Sequence, residues 1–91
     1  MAAARTPTLY EESVGSMKLY WTDVMADVDK GDTFASGLTN RIVACWFNAV
    51  ENPTTQESNA VDVGYTYSTG AIMFDPGEDS RTGKLYILTS S

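Results

Sequence analysis

Ninety-one residues with 12 acidic and 6 basic side chains, a net charge of −6 and a pI near 4.2 describe one small acidic domain with room for a single core. An acidic surface repels phosphate backbones and anionic lipid, so neither nucleic acid nor a membrane is expected as a partner. The lone cysteine, Cys45, excludes an internal disulfide, and the lack of histidine removes the commonest general base and zinc ligand.

Residues 1–15, "MAAARTPTLYEESVG", lack the continuous apolar run of a signal peptide. They read as an extended N-terminal arm ahead of one β domain over residues 16–91. Leu9, Tyr10 and Val14 are its apolar side chains, irregularly spaced, and are expected to dock on a partner and order only there, with a disordered tail as the alternative. "SMKLYWTDV" alternates: Met17, Leu19 and Trp21 against Lys18, Tyr20 and Thr22. That period of two predicts a strand with one buried side.

"DVDKGDTFASG" then reads as a long inter-strand connection, with Phe34 and Leu38 as anchors. "GLTNRIVACWFNAV" holds the longest apolar run. Ile42, Ala44 and Trp46 alternate with Val43, Cys45 and Phe47, which predicts a central strand covered on both faces. "ENPTTQESN" is an exposed loop. "AVDVGYTY" alternates again, and "STG" marks a tight turn with Gly70 available for positive φ. "AIMF" returns as the other arm of a hairpin. "DPGEDSRTGK" is a second turn-rich loop. "LYILTS" is a short last strand, with Leu85 and Ile87 opposed to Tyr86 and Leu88.

The sum is an all-β fold, a small antiparallel β-sandwich or compact barrel of five to six strands. Trp21, Ile42, Trp46, Val63, Phe74, Leu85 and Ile87 are the expected core.

The aspartates invite a calcium reading. An EF-hand loop needs oxygen ligands at positions one, three and five, glycine at six and glutamate at twelve. Asp27 and Asp29 fit, but Gly31 and Asp32 are interchanged and position twelve is Leu38. Asp27, Asp29 and Asp32 stand as an alternative calcium set on a β loop. Turn chemistry is the preferred reading, so no metal or other cofactor is expected. Asp75, Glu78 and Asp79 lie in a Pro-Gly turn, where the exposure expected of a turn argues against catalysis. Cys45, mid-strand, reads as an inert buried thiol. The strand tyrosines Tyr20, Tyr65, Tyr67 and Tyr86 read as core or interface residues, with stacking on sugar rings as the alternative. No catalytic constellation is visible, and no enzyme is expected.

The order of these features has a likeness. A first strand, "DVDKGDTFASGL", an apolar strand with Trp, "NPTTQ", "STG" and a terminal "YIL" strand occur in sequence. Residues 15–91 in this arrangement resemble a class of small virion proteins of tailed bacteriophages. The resemblance implies structural duty on a virion assembled in the host cytoplasm, as a capsid decoration or cement protein. It implies oligomers, trimers at capsid threefold positions, with the major capsid protein and sister subunits as partners. The alternative is a tail or fibre-associated module for host adhesion or sugar binding.

Overall fold

The computed structural model describes residues 3–49, 61–65, 70–76 and 81–90. Among them there is no helix, and nine strands follow one another: β1 Ala4–Arg5, β2 Leu9–Val14, β3 Met17–Thr22, β4 Met25–Val28, β5 Thr33–Ala35, β6 Ile42–Ala49, β7 Val61–Tyr65, β8 Ala71–Pro76 and β9 Arg81–Ser90. The chain is an all-β sandwich, as its alternating patterns predict, but with nine strands among the described residues where five to six were expected, because β1, β2, β4 and β5 lie in segments read as arm or connection. The loop at 51–59, Tyr67, the tip of the "STG" turn and the carboxylates Glu78 and Asp79 lie outside the described residues.

One sheet has four strands in the order β1-β5-β8-β7. It is antiparallel except where β1 runs parallel to β5. The other has five strands and is built on β9. One edge of β9 pairs with β3 through residues 86–90 and with β4 at Gly83 and Arg81; the opposite edge pairs with β6 through residues 83–89. The expected short terminal strand is therefore ten residues long and central. Gly83, Leu85, Ile87 and Thr89 are buried along it while the intervening residues are half-buried.

The core lies between the sheets. Phe34, Ile72 and Phe74 come from the four-stranded sheet; Tyr20, Met25, Val28, Ile42, Leu85 and Ile87 come from the five-stranded one. Phe47 meets Phe74 edge to face, with ring centroids 5.8 Å apart, across the two layers.

The N-terminal arm is corrected. Leu9–Val14 forms β2, paired residue for residue with β3 in the same chain. The expected boundary at residue 15 falls in a two-residue hairpin turn. Gly15 takes φ 60° and Ser16 does not, the pattern of a type II′ turn. Leu9 packs against the core, so the segment buries an apolar side chain locally.

Two strands depart from expectation, β3 in which face is buried and β6 in being covered on one face where both were expected. In β3, Tyr20 and Thr22 are buried and Trp21 is half-buried on the outer face. Tyr20 pairs with inward Ile87 and Trp21 with outward Tyr86, so β9 decides the phase. In β6 the register shifts between Ile42 and Ala44. This bulge puts Ile42, Cys45 and Phe47 on the core side, while Val43 and Trp46 are exposed. Strand β6 is thus covered on one face, and Trp46 is no core residue. Val63 is half-buried against the core, and Ile42, Phe74, Leu85 and Ile87 are buried as expected.

Two polar details close the fold. Where β9 passes from β3 to β4, the amide of Leu85 donates to the hydroxyl of Thr22 at 3.1 Å. A buried amide without that acceptor would be costly. Gly70 takes φ 68°, and a Cβ there would lie 2.5 Å from Ser36 Oγ and 2.9 Å from the Leu38 carbonyl. That close approach lets the Gly70 carbonyl accept from both the amide and the hydroxyl of Ser36, at 3.1 and 2.6 Å.

Two isosteric substitutions should separate. Thr22→Val removes the acceptor for Leu85 and should cost about 1–3 kcal/mol. Thr89 is buried too, but among the described residues its hydroxyl has no hydrogen-bond partner. Thr89→Val should leave stability unchanged or raise it by about 1 kcal/mol. Urea denaturation of both variants measures the contrast, and equal losses would contradict these assignments. Gly70→Ala should destabilise more than a simple glycine-to-alanine change, since it adds a clash to an unfavourable φ.

Candidate functional site

The aspartate loop is a structural knot. Asp29 to Asp32 form a tight turn in which the Asp32 amide donates to the Asp29 carbonyl at 3.1 Å and Gly31 takes φ 86°, as a type II turn requires at its third position. The Asp32 carboxylate is buried. It accepts from the Ala3 amide at 2.8 Å, the Asp29 amide at 3.0 Å and Arg5 Nη1 at 2.9 Å. Arg5 also donates to the carbonyls of Ala26 at 2.6 Å and Asp27 at 3.2 Å. It thereby braces the β4 bulge, where Asp27 itself takes a left-handed φ of 56°.

Burial works against the Asp32 charge. The hydrogen bonds from Asp29, Arg5 and Ala3, with the charge of Arg5, outweigh it and hold the carboxyl below its ordinary pKa. The calcium set is therefore not brought together. Both Asp32 oxygens are taken, one of them by a cation, and Asp27 faces solvent. Among the described residues, no three His, Cys, Asp or Glu side chains are grouped to hold a metal ion.

Cys45 lies on the core side of β6, and burial pushes its thiol up to about 12, so thiolate chemistry is suppressed at neutral pH. An open groove of about 380 Å³ crosses the four-stranded sheet beside Gly64 and Met73. Its lining holds no carboxylate, thiol or cation.

The outer face of the five-stranded sheet is different. Tyr10 pairs with Trp21, Trp21 with Tyr86, and Tyr86 with Trp46. Directly opposed residues share a face, so four aromatic side chains on four strands form one row. Tyr10 and Trp21 stack with centroids 6.0 Å apart at 24°; Trp46 and Tyr86 stack at 5.4 Å and 10°. The row is not a covered core: Tyr10 is 42% exposed and Trp46 44%. The next row across the face is Glu12, Leu19, Leu88 and Ala44. Beyond Tyr86, Lys84 pairs with Asn48. The Tyr10 hydroxyl donates to Asp23 at 3.2 Å, and that bond, with the charge of Asp23, raises the Tyr10 pKa.

Of the three expected docking residues, Leu9 faces the core, Tyr10 joins the row and Val14 is exposed at the hairpin end. Of the strand tyrosines, Tyr20 is core and Tyr65 packs against it, while Tyr86 is in the row. Tyr10, Trp21 and Trp46 were not legible as its members. Each needs the strand register, which the sequence pattern does not carry. The "VGSM" hairpin signal could have placed Tyr10 opposite Trp21.

Comparison with protein families, with characterised proteins and with solved structures gives no match for this chain.

Two measurements check the site chemistry. A carboxyl with a depressed folded pKa stabilises above its unfolded value of about 3.9, and that contribution is lost as pH falls through the folded value. The urea midpoint should thus fall below about pH 4, and Asp32→Asn should lower stability at pH 7 and flatten this acid slope. An unchanged slope would remove Asp32 as its source. Cys45 should react slowly with iodoacetamide at pH 7.5 in the folded protein and rapidly in urea; equal rates would contradict its burial.

Proposed function

We propose that this chain is a non-enzymatic structural protein of a tailed-phage virion, a decoration or cement protein of the outer capsid shell. It works by docking. The observation that carries this is the exposed aromatic row Tyr10–Trp21–Tyr86–Trp46. A small domain that already has a buried core between its sheets gains nothing for its own stability by leaving Trp46 in water. A contiguous aromatic surface of this kind marks a contact with another molecule. The resemblance of residues 15–91 to small virion proteins supplies the setting. The net charge of −6 suits an outward surface better than one facing packaged DNA. The partner in this reading is the major capsid protein or a sister subunit, met by the outer face of the five-stranded sheet.

The second reading is a sugar-binding adhesion module of a tail or fibre. Aromatic rings bordered by Glu12, Asp23, Asn48 and Lys84 favour it, since sugars need both apolar faces and hydrogen-bonding groups. Against it, Glu12 and Asp23 give the face a charge that an uncharged sugar does not need.

Quantitative mass spectrometry of density-purified particles from a lysate of the encoding host tests the virion reading. The chain should be present at many copies per particle, in fixed ratio to the major capsid protein. Its absence from washed particles would overturn the proposal. A glycan array with purified protein should give no saturable signal, and a signal lost in Trp46→Ala would favour the adhesion module instead.

A further inference from the structure

We propose that the aromatic row recognises an arginine-bearing protein segment. The inference deepens the docking reading above and rests on it. Its basis is the chemistry beside the rings. Trp21 lies between two exposed carboxylates: Glu12, opposite Leu19 in the next row, and Asp23, two residues further along the chain. Asp23 is held beside the row by the Tyr10 hydroxyl. Among the described residues, the cation that alternation along these paired strands puts on the same face is Lys84, two residues from Tyr86 and opposite Asn48. The β2–β3 half of the face is therefore aromatic and acidic together, on a chain whose net charge is −6.

A guanidinium suits that combination better than other groups. It is planar and weakly hydrated, stacks on an indole or phenol ring, and can still bond a carboxylate at the ring's margin. An acidic segment would be repelled by Glu12 and Asp23. A second copy of this chain would bring the same two carboxylates against its own, in any arrangement that superposes the β2–β3 halves. An uncharged sugar can donate hydroxyls to them but gains nothing from their charge.

Trp21 and Trp46 are the chain's two tryptophans, so tryptophan emission, excited selectively over tyrosine, reports this face. The full chain is titrated with a blocked pentapeptide of alternating arginine and glycine, and with its lysine and glutamate counterparts. Arginine peptide should shift or quench the emission saturably, more strongly than lysine, and the effect should weaken as salt rises. Glutamate peptide should have no effect. The pair Glu12→Gln with Asp23→Asn should weaken binding about two- to fivefold, the range for exposed ion and cation–π pairs. The pair Asp27→Asn with Asp75→Asn removes the same charge from exposed sites away from the row and should leave binding unchanged.

No saturable response to arginine peptide overturns the inference. So does an equal response to glutamate peptide, an equal loss in both double variants, a response matched by a neutral oligosaccharide, or an emission change on dilution without peptide. Mass-spectrometric detection in particles is independent of every one of these outcomes. A protein found in particles that ignores arginine loses only the partner chemistry. One that binds arginine but is absent from particles loses only the virion setting.

Discussion

The structure depends on β9 being paired along both edges. Its hydrogen-bonding groups are met on one side by β3 and β4 and on the other by β6. Where β3 hands over to β4, a side chain, the hydroxyl of Thr22, supplies the missing acceptor. A strand so enclosed has no freedom of phase. A slip of one residue would turn Leu85 and Ile87 to solvent and drive Tyr86 and Leu88 into the core. The pairs it makes, such as Met17 with Ser90 and Trp21 with Tyr86, are far apart in sequence, so the loop entropy of joining them precedes the gain from burial.

From that one strand follow both faces of the five-stranded sheet. The inward residues of β9 select Tyr20 and Thr22 from β3, and Cys45 and Phe47 from β6. The outward residue Tyr86 selects Trp21 and Trp46. The aromatic row is thus a consequence of register rather than of local composition. The bulge in β6 is part of the same arrangement. It lets Ile42 and Cys45 share the core side although strict alternation would separate them. A surface built on a central strand is more rigid than one built on loops, which suits a docking face.

The second constraint is the contact of Arg5 with Asp32. The segment from Ala3 to Val14 begins on the edge of the four-stranded sheet as β1 and ends on the edge of the five-stranded one as β2. It closes one side of the sandwich. The anchor at its start is a buried carboxylate satisfied by two amides and a guanidinium. Such a group is costly to bury and stays charged because both its oxygens accept from donors, one of them a cation. The cluster that reads as a possible cation site is, in three dimensions, a buried carboxylate whose counter-charge is the protein's own arginine.

Several features were legible in the sequence, and they share a physical cause. Alternation, turn residues and β-branched runs are local, so the all-β class, Ile42, Phe74, Leu85 and Ile87 as core and a turn at Asp29–Asp32 followed from neighbours in the chain. But "DVDKGDTFASG" is no single connection, since it also holds the end of β4 and all of β5. What the sequence left open needed partners distant along it. Alternation in "SMKLYWTDV" says that one face is buried but not which, and the more apolar face proved to be the outer one. The strand phase of β6 turned on a bulge with no glycine to mark it. Residues 1–15 looked too irregular to bury anything, because the edge they pair with is made by residues 17–22 beyond a two-residue turn. By itself the sequence determined the kind of structure and the interior ends of its strands. Only the tertiary structure decided which residues stand side by side across strands, since hydrogen-bond register is a property of two segments and is written in neither alone.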